Sequence, residues 1–140
     1  MLNNMGKNVS CIIFAAMIIL FAAVCGCTQN TVAPPREAKD VANVTAERML
    51  LALNTGNYTE FTQNFSPPMA RAVNESVFND IRGWTKDTYG DYISKTESSA
   101  YEYKGFNNFE YNCKFSKGYA KFRLTMNSTN ISMVEGEHFI

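Results

Sequence analysis

The chain has few of the residues from which a catalytic or metal site is usually built. Its 140 residues include one histidine and four cysteines, and 13 basic residues balance 13 acidic ones. Because there is no excess of positive charge, nucleic acid is not an expected partner. The sequence also lacks a Gly-X-Ser-X-Gly segment, a glycine-rich phosphate loop and a His–Cys cluster with metal-ligand spacing. We therefore expect no metal, no cofactor and no enzyme activity.

The N-terminal residues follow the order of a secretion signal. Residues 1–8 are polar and carry one charge, at Lys7, whereas residues 9–25 are apolar and uncharged. Val24-Cys25-Gly26-Cys27 resembles the lipobox of lipoproteins, in which small residues precede a cysteine that carries a diacylglyceryl group. The sequence predicts a signal peptide over residues 1–26 and a lipid on Cys27, which would attach the protein to the outer side of the cell membrane. The alternative is an uncleaved anchor, because about 17 apolar residues are at the lower limit for spanning a bilayer.

The folded part of the chain has few cysteines. If Cys27 carries a lipid, Cys113 is the single ordinary thiol of the mature chain, so an internal disulfide and a structural zinc site are excluded. Cys113 is a reactive nucleophile, forms an intermolecular disulfide or is a small buried residue of a strand, and we favour the last interpretation. Asn127, in the polar turn Asn-Ser-Thr-Asn, is the candidate glycosylation site.

Apolar residues at helical spacing predict helices in the first half of the mature chain. A polar tether is expected over residues 27–37 and one domain over residues 38–140. Within the domain, helices are predicted at residues 38–54, ended by Gly56, and at residues 57–65. Ser66-Pro67 predicts another helix start, and a longer helix should follow over residues 75–89.

The periodicity changes from helical to alternating after Gly90. Residues 119–126 alternate most clearly, and residues 108–115 alternate likewise, with a hairpin turn at Ser116-Lys117-Gly118. One long or bent strand is predicted over residues 91–104, and a fourth strand over residues 130–140. Helices followed by an antiparallel meander predict an α+β fold, with N-terminal helices packed on a sheet of about four strands.

The order of these signals resembles a known family. The resembling segments are residues 49–54 (Met-Leu-Leu-Ala-Leu-Asn), residues 56–58 with Phe61, residues 65–66 with Met69 and Ala70, and Phe78 followed by Tyr89-Gly90. They are similar to domain of unknown function 3887, a branch of the nuclear transport factor 2-like superfamily. The resemblance implies three helices in the concave side of a curved antiparallel sheet, which together form a cone with an apolar interior. It implies no particular activity, although members often form homodimers through the outer face of the sheet.

Few residues are candidates for acid–base chemistry inside such a cone. His138 is two residues from the C-terminus, where chains tend to fray. Asp80 and Asp87 share a helix face that we expect to be solvated. Glu135 and Glu137 are expected side by side at an exposed strand end. An acid and a base that meet inside the cone would nevertheless indicate a small hydrolase or isomerase, for which Tyr89, Asp80 and His138 are the candidates.

Aromatic residues are the remaining candidates for a binding site. They either line a cavity for an apolar or aromatic ligand or fill the interior as core: Phe78, Trp84, Tyr89, Phe109, Tyr111 and Phe122. The leading hypothesis is a non-catalytic, lipid-anchored domain of the cell envelope. It would bind such a ligand or another envelope protein. A dimerisation or spacer module is a further alternative.

Overall fold

The computed structural model describes residues 31–140, which form one unit. The predicted signal peptide and Cys27 lie outside these residues. Four helices come first: α1 Arg36–Thr55, α2 Tyr58–Thr62, α3 Pro67–Ala72 and α4 Glu75–Thr88. Four strands follow: β1 Tyr92–Tyr103, β2 Phe106–Phe115, β3 Gly118–Asn127 and β4 Val134–Phe139. They form one antiparallel sheet in the order β1-β2-β3-β4, so the predicted α+β fold class is confirmed.

The helices begin and end at residues with the expected local chemistry. Ser66 caps α3 by accepting a hydrogen bond from the Met69 N–H at 3.4 Å, and Pro67 takes the first helical position. Gly56 ends α1 in the left-handed region, with φ at 73°, and its N–H donates to the Ala52 carbonyl. Helix α1 begins at Arg36, so it includes the last two residues of the predicted tether.

Helix α1 packs on the sheet through a face of small side chains. Ala38, Ala42 and Ala46 are no more than 1% exposed. Small residues allow a helix backbone to approach its neighbour closely, and larger side chains then fill the space farther along. Met49, Leu50 and Leu53 do so at the C-terminal half of α1, where all three are buried.

Strands β2 and β3 supply most of the inner face of the sheet. Their side chains alternate between buried and more exposed positions, as predicted. Tyr111 lies opposite Phe122, and Phe109 lies opposite Leu124, and all four side chains are completely buried. Because burial of one such side chain contributes about 1.5–3 kcal/mol, these cross-strand pairs are a large part of the stability of the domain.

The edge strands are less regular than the central ones. The β1–β2 register shifts between Tyr92 and Ser94 and again between Glu97 and Ser99, consistent with the predicted long or bent strand. The β3–β4 register shifts between Thr125 and Met126. An irregularity of this kind places an extra residue in one strand and changes the side to which the following side chains point.

The outer face of the sheet carries a polar network. Glu110 on β2 accepts a hydrogen bond from Arg123 Nε at 3.0 Å and lies 3.5 Å from Lys121 Nζ. Ser99 on β1 donates to the same carboxylate at 3.1 Å. The hydrogen bond from Arg123 lowers the pKa of Glu110, as do Ser99 and the nearby positive charges, against the effect of burial. The centre of the outer face is therefore polar rather than apolar.

No helix within residues 31–140 is long and apolar enough to cross a membrane.

Candidate functional site

The six aromatic residues considered as a cavity lining do not share one environment. Phe78, Phe109, Tyr111 and Phe122 are at most 1% exposed and belong to the core. Phe78 packs on Phe61, with ring centroids 5.0 Å apart, and Phe122 packs on Phe139 at 5.2 Å. These side chains contact other side chains of the domain, so they act as core residues in this structure.

Trp84 and Tyr89 lie nearer the surface. Trp84 is 50% exposed and contacts Tyr89 edge to face, with ring centroids 5.5 Å apart. Tyr89 also packs on Phe115 at 5.7 Å and on Phe139 at 6.2 Å. The two residues therefore cover one end of the aromatic core and do not line a cavity.

The acid–base candidates are not brought together. Asp80 and Asp87 are exposed on α4, as predicted for a solvated helix face. His138 pairs with Arg123, whose side chain contacts Glu110 on the outer face of the sheet. The pKa of His138 is lowered, mainly by partial burial and secondarily by the charge of Arg123. The set of Tyr89, Asp80 and His138 thus does not form a site inside the domain.

The expectation that Glu135 and Glu137 lie side by side is wrong. Gly136 pairs with Thr125 and Glu137 pairs with Leu124, whereas Glu135 falls at the register shift. Glu135 accepts a hydrogen bond from Asn127 Nδ2 at 3.2 Å. Glu137 instead shares the inner face with Leu124, and burial raises its pKa to about 7. The register shift thus separates the two carboxylates.

Cys113 and Asn127 have structural roles in the described residues. Cys113 is completely buried on β2, and burial raises the pKa of its thiol to about 12. A thiol in this state is a poor nucleophile. Asn127 Oδ1 accepts from the N–H groups of Thr129 and Asn130, each at 3.0 Å, which stabilises the turn after β3. Its Nδ2, the atom to which a glycan would be attached, donates to Glu135.

A polar cluster that the sequence did not predict lies between α1, β1 and β2. At its centre is Lys95, whose side chain is only 5% exposed. Lys95 Nζ lies 3.4 Å from Glu47 Oε2, donates to Asn43 Oδ1 and lies 4.8 Å from the centroid of the Tyr111 ring. Tyr92 donates its hydroxyl to the same Glu47 oxygen at 2.8 Å. The buried ammonium is thus held by a carboxylate, an amide oxygen and an aromatic face.

The two tyrosines of this cluster are poorly suited to ionise. Burial, the hydrogen bond to Glu47 and the charge of Glu47 all raise the pKa of Tyr92. Burial also raises the pKa of Tyr111, whose hydroxyl has no hydrogen-bond partner among the described residues. Within those residues no group of three or more His, Cys, Asp or Glu side chains could hold a metal. The cluster is therefore suited to holding β1 on α1 and to presenting charge, not to nucleophilic chemistry.

An open groove of about 680 Å³ runs along the solvent side of α1, and part of this cluster lines it. Val44 and Leu51 are exposed there, at 64% and 47%, although both are large apolar residues. Charged groups of both signs flank them, with Glu47 and Lys95 among the lining residues, together with Arg48 and Glu60, which lie 3.9 Å apart. The groove also includes Asn43, Ala52 and Thr55. It is open, so a small molecule would stay largely exposed in it.

The sequence carried a weak signal for the groove and none for the cluster. Val44 and Leu51 are seven residues apart and so lie on one helix face, opposite the predicted apolar face. Two isolated apolar residues on a polar face are common on protein surfaces, and so they did not indicate a site. The contacts of Lys95 with Asn43 and Glu47 join residues about 50 positions apart, which periodicity cannot relate.

These features define a small α+β domain with a filled aromatic core and a surface groove. The model of the family described as Protein of unknown function (DUF3887) matches residues 46–131. The chain belongs to this family, because the match covers more than half of its length. Neither the curated proteins nor the solved structures include a significant match to the chain.

Proposed function

We propose that this protein is a non-catalytic, lipid-anchored domain of the cell envelope that binds a segment of another envelope protein in the α1 groove. The observation that carries the binding proposal is the exposure of Val44 and Leu51 on α1. They are about 10 Å apart along the helix axis, and an apolar segment lying along α1 would cover both. A small apolar ligand is less well supported, because the interior aromatics are core and the groove is open.

The charges beside the groove favour a polypeptide over a lipid or a hydrocarbon. Glu47 and Lys95 come from α1 and β1, whereas Arg48 and Glu60 come from α1 and α2. The partly exposed carboxylates of Glu47 and Glu60 can accept hydrogen bonds from the backbone N–H groups and polar side chains of a peptide, and the Arg48 guanidinium can donate to its carbonyl groups, whereas Lys95 is buried and positions Glu47. These charges also disfavour partners with misplaced charges, so they contribute specificity.

The location and the superfamily are further parts of the proposal. The lipobox-like Val24-Cys25-Gly26-Cys27 supports a lipid on Cys27 and a position outside the cytoplasm. Helices that precede and cover a four-stranded antiparallel meander support membership of the nuclear transport factor 2-like superfamily. Intact-mass spectrometry of the membrane-extracted chain tests the anchor. A chain that begins at Cys27 with a diacylglyceryl group is expected, and one that begins at Met1 would contradict it.

Site-specific photo-crosslinking tests the groove. A photoreactive amino acid at Val44 of the full-length, membrane-bound chain should give one discrete adduct with another envelope protein. Introducing Leu51→Lys into the same chain should reduce its yield about tenfold or more. Burial of one leucine contributes about 1.5–3 kcal/mol, and 1.4 kcal/mol corresponds to a factor of ten.

The matched control carries the photoreactive residue at Asp80, which is exposed on α4. It should not give the same adduct. An adduct that forms equally from Asp80, or that is insensitive to Leu51→Lys, would contradict the proposal. An adduct between two copies of this chain would favour the dimerisation alternative instead.

A further inference from the structure

The predicted tether is attached to the sheet at Val32, in the middle of its length. Val32 forms an isolated antiparallel bridge with Glu102 on β1, and the Glu102 N–H donates to the Val32 carbonyl at 2.7 Å. Glu102 is the penultimate residue of β1, so the bridge lies beside the turn between β1 and β2. The chain therefore enters the domain at a defined place, on the edge of the sheet and next to this hairpin.

The hairpin ends in a tight turn that exposes two aromatic side chains. Lys104 and Gly105 form the turn, with φ at 50° and 81°, and Tyr103 pairs with Phe106 across it. Tyr103 and Phe106 are 41% and 39% exposed, and Val32 beside them is 63% exposed. Lys104 Nζ lies 5.1 Å from the centroid of the Tyr103 ring. We call Val32, Tyr103, Lys104 and Phe106 the hairpin tip.

The distance to the predicted lipid limits how far the hairpin tip can lie from the membrane. Cys27 and Val32 are five residues apart, and a fully extended chain of this length spans at most about 18 Å. A lipid on Cys27 would thus keep the hairpin tip within the reach of the headgroup region, which itself adds several ångströms on each side of the hydrocarbon core. Exposed aromatic rings and a lysine are the side chains favoured in that region.

We propose that the hairpin tip is a second membrane contact that inserts its aromatic rings among phospholipid headgroups and orients the domain. This inference rests on the proposed lipid anchor, because the tether length brings the hairpin tip to the bilayer. A single exposed patch binds a bilayer only weakly, whereas the same patch beside an attached lipid binds at a high effective concentration. Glu102 pairs with Asn107 next to this turn, and Lys104 at the turn supplies the positive charge that would contact anionic headgroups.

Tryptophan fluorescence in vesicles tests the contact. The single native tryptophan is first replaced, as Trp84→Phe, and Phe106→Trp then introduces a probe at the hairpin tip. The matched control is Tyr119→Trp in the same background. Tyr119 is a 74% exposed aromatic of the β2–β3 hairpin, at the opposite end of β2. Both full-length chains are incorporated into vesicles of phosphatidylcholine and phosphatidylglycerol in which part of the lipid is brominated.

Brominated lipid should quench the probe at Phe106 several-fold more strongly than the probe at Tyr119. Intact-mass spectrometry of the same samples reports whether Cys27 carries a lipid. If the lipid is present and both probes are quenched equally, the inference is overturned and the anchor stands. If the lipid is absent but the Phe106 probe is still quenched, the anchor fails and the membrane contact stands. An absent lipid together with an unquenched Phe106 probe overturns both.

Discussion

Replacing Asn54 with alanine should lower the free energy of unfolding by about 2–4 kcal/mol, because two backbone groups of the edge strand then lose their partners. Asn54 Nδ2 donates to the Tyr92 carbonyl at 2.8 Å, and Asn54 Oδ1 accepts from the Tyr92 N–H at 2.8 Å. The side-chain amide thus bonds as a neighbouring strand would, at the first residue of β1. Tyr92 is only 5% exposed, so water is poorly placed to replace these bonds.

Urea denaturation of the wild-type and variant chains measures this change. Asn112→Ala is the matched control, because Asn112 is exposed on β2, and it should change the free energy of unfolding by less than about 0.5 kcal/mol. Asn54→Asp should cost at least as much as Asn54→Ala at neutral pH, since it keeps the acceptor for the Tyr92 N–H but places a carboxylate oxygen against the Tyr92 carbonyl, where no hydrogen is available to be shared. If Asn54→Ala changes the free energy of unfolding as little as Asn112→Ala does, the two hydrogen bonds contribute little to stability.

Replacing Glu137 with glutamine should stabilise the domain at pH 8 and leave its stability nearly unchanged at pH 4. Burial raises the pKa of Glu137 from 4.5 to about 7, so the folded state favours the neutral carboxyl. Below pH 4.5 the carboxyl is protonated in both states, and its burial has no ionic cost. As the pH rises to about 7 the unfolded state releases its proton first, and stability falls. Glutamine is similar in shape and has no charge, so it avoids this loss.

The expected gain for Glu137→Gln at pH 8 is of the order of 2–3 kcal/mol, since one pKa unit corresponds to 1.36 kcal/mol. Thermal or urea unfolding at pH 4, 6 and 8 would measure it. The matched control is Glu135→Gln, which alters the carboxylate hydrogen-bonded to Asn127. At pH 8 this variant should not be more stable than the wild type, because it removes the charge from a carboxylate that accepts a hydrogen bond. If Glu137→Gln leaves the stability unchanged at all three pH values, Glu137 is solvated rather than buried.

Local chemistry was sufficient to predict the order and type of the elements. Ser66 and Pro67 define the start of α3, and Gly56 defines the end of α1, because caps and left-handed residues act within one turn. Alternation over β2 and β3 identified both strands and their buried sides, since successive side chains of a strand point to opposite faces. The preference of Cys113 for the core follows from the same alternation.

The candidate site required contacts that no local pattern encodes. No local pattern predicts the burial of the charged Lys95, yet Glu47, Asn43 and the Tyr111 ring surround it. Only the packing of α1 on β1 brings these groups together, and only their joint presence makes the burial of an ammonium tolerable. The sequence likewise does not decide between a cavity and a filled core, because the same aromatic residues can line the one or pack in the other.

The sequence by itself therefore determined the α+β class, the strand alternation and the lipobox-like segment at Cys27, since each depends on residues within a few positions of one another. The tertiary structure decided which polar residues are buried and which apolar residues are exposed. A register shift against β3 separates Glu137 from Glu135, and a bridge to Glu102 joins Val32 to the sheet. Both depend on pairing between strands or distant segments, whose register is determined by the packing of the whole domain.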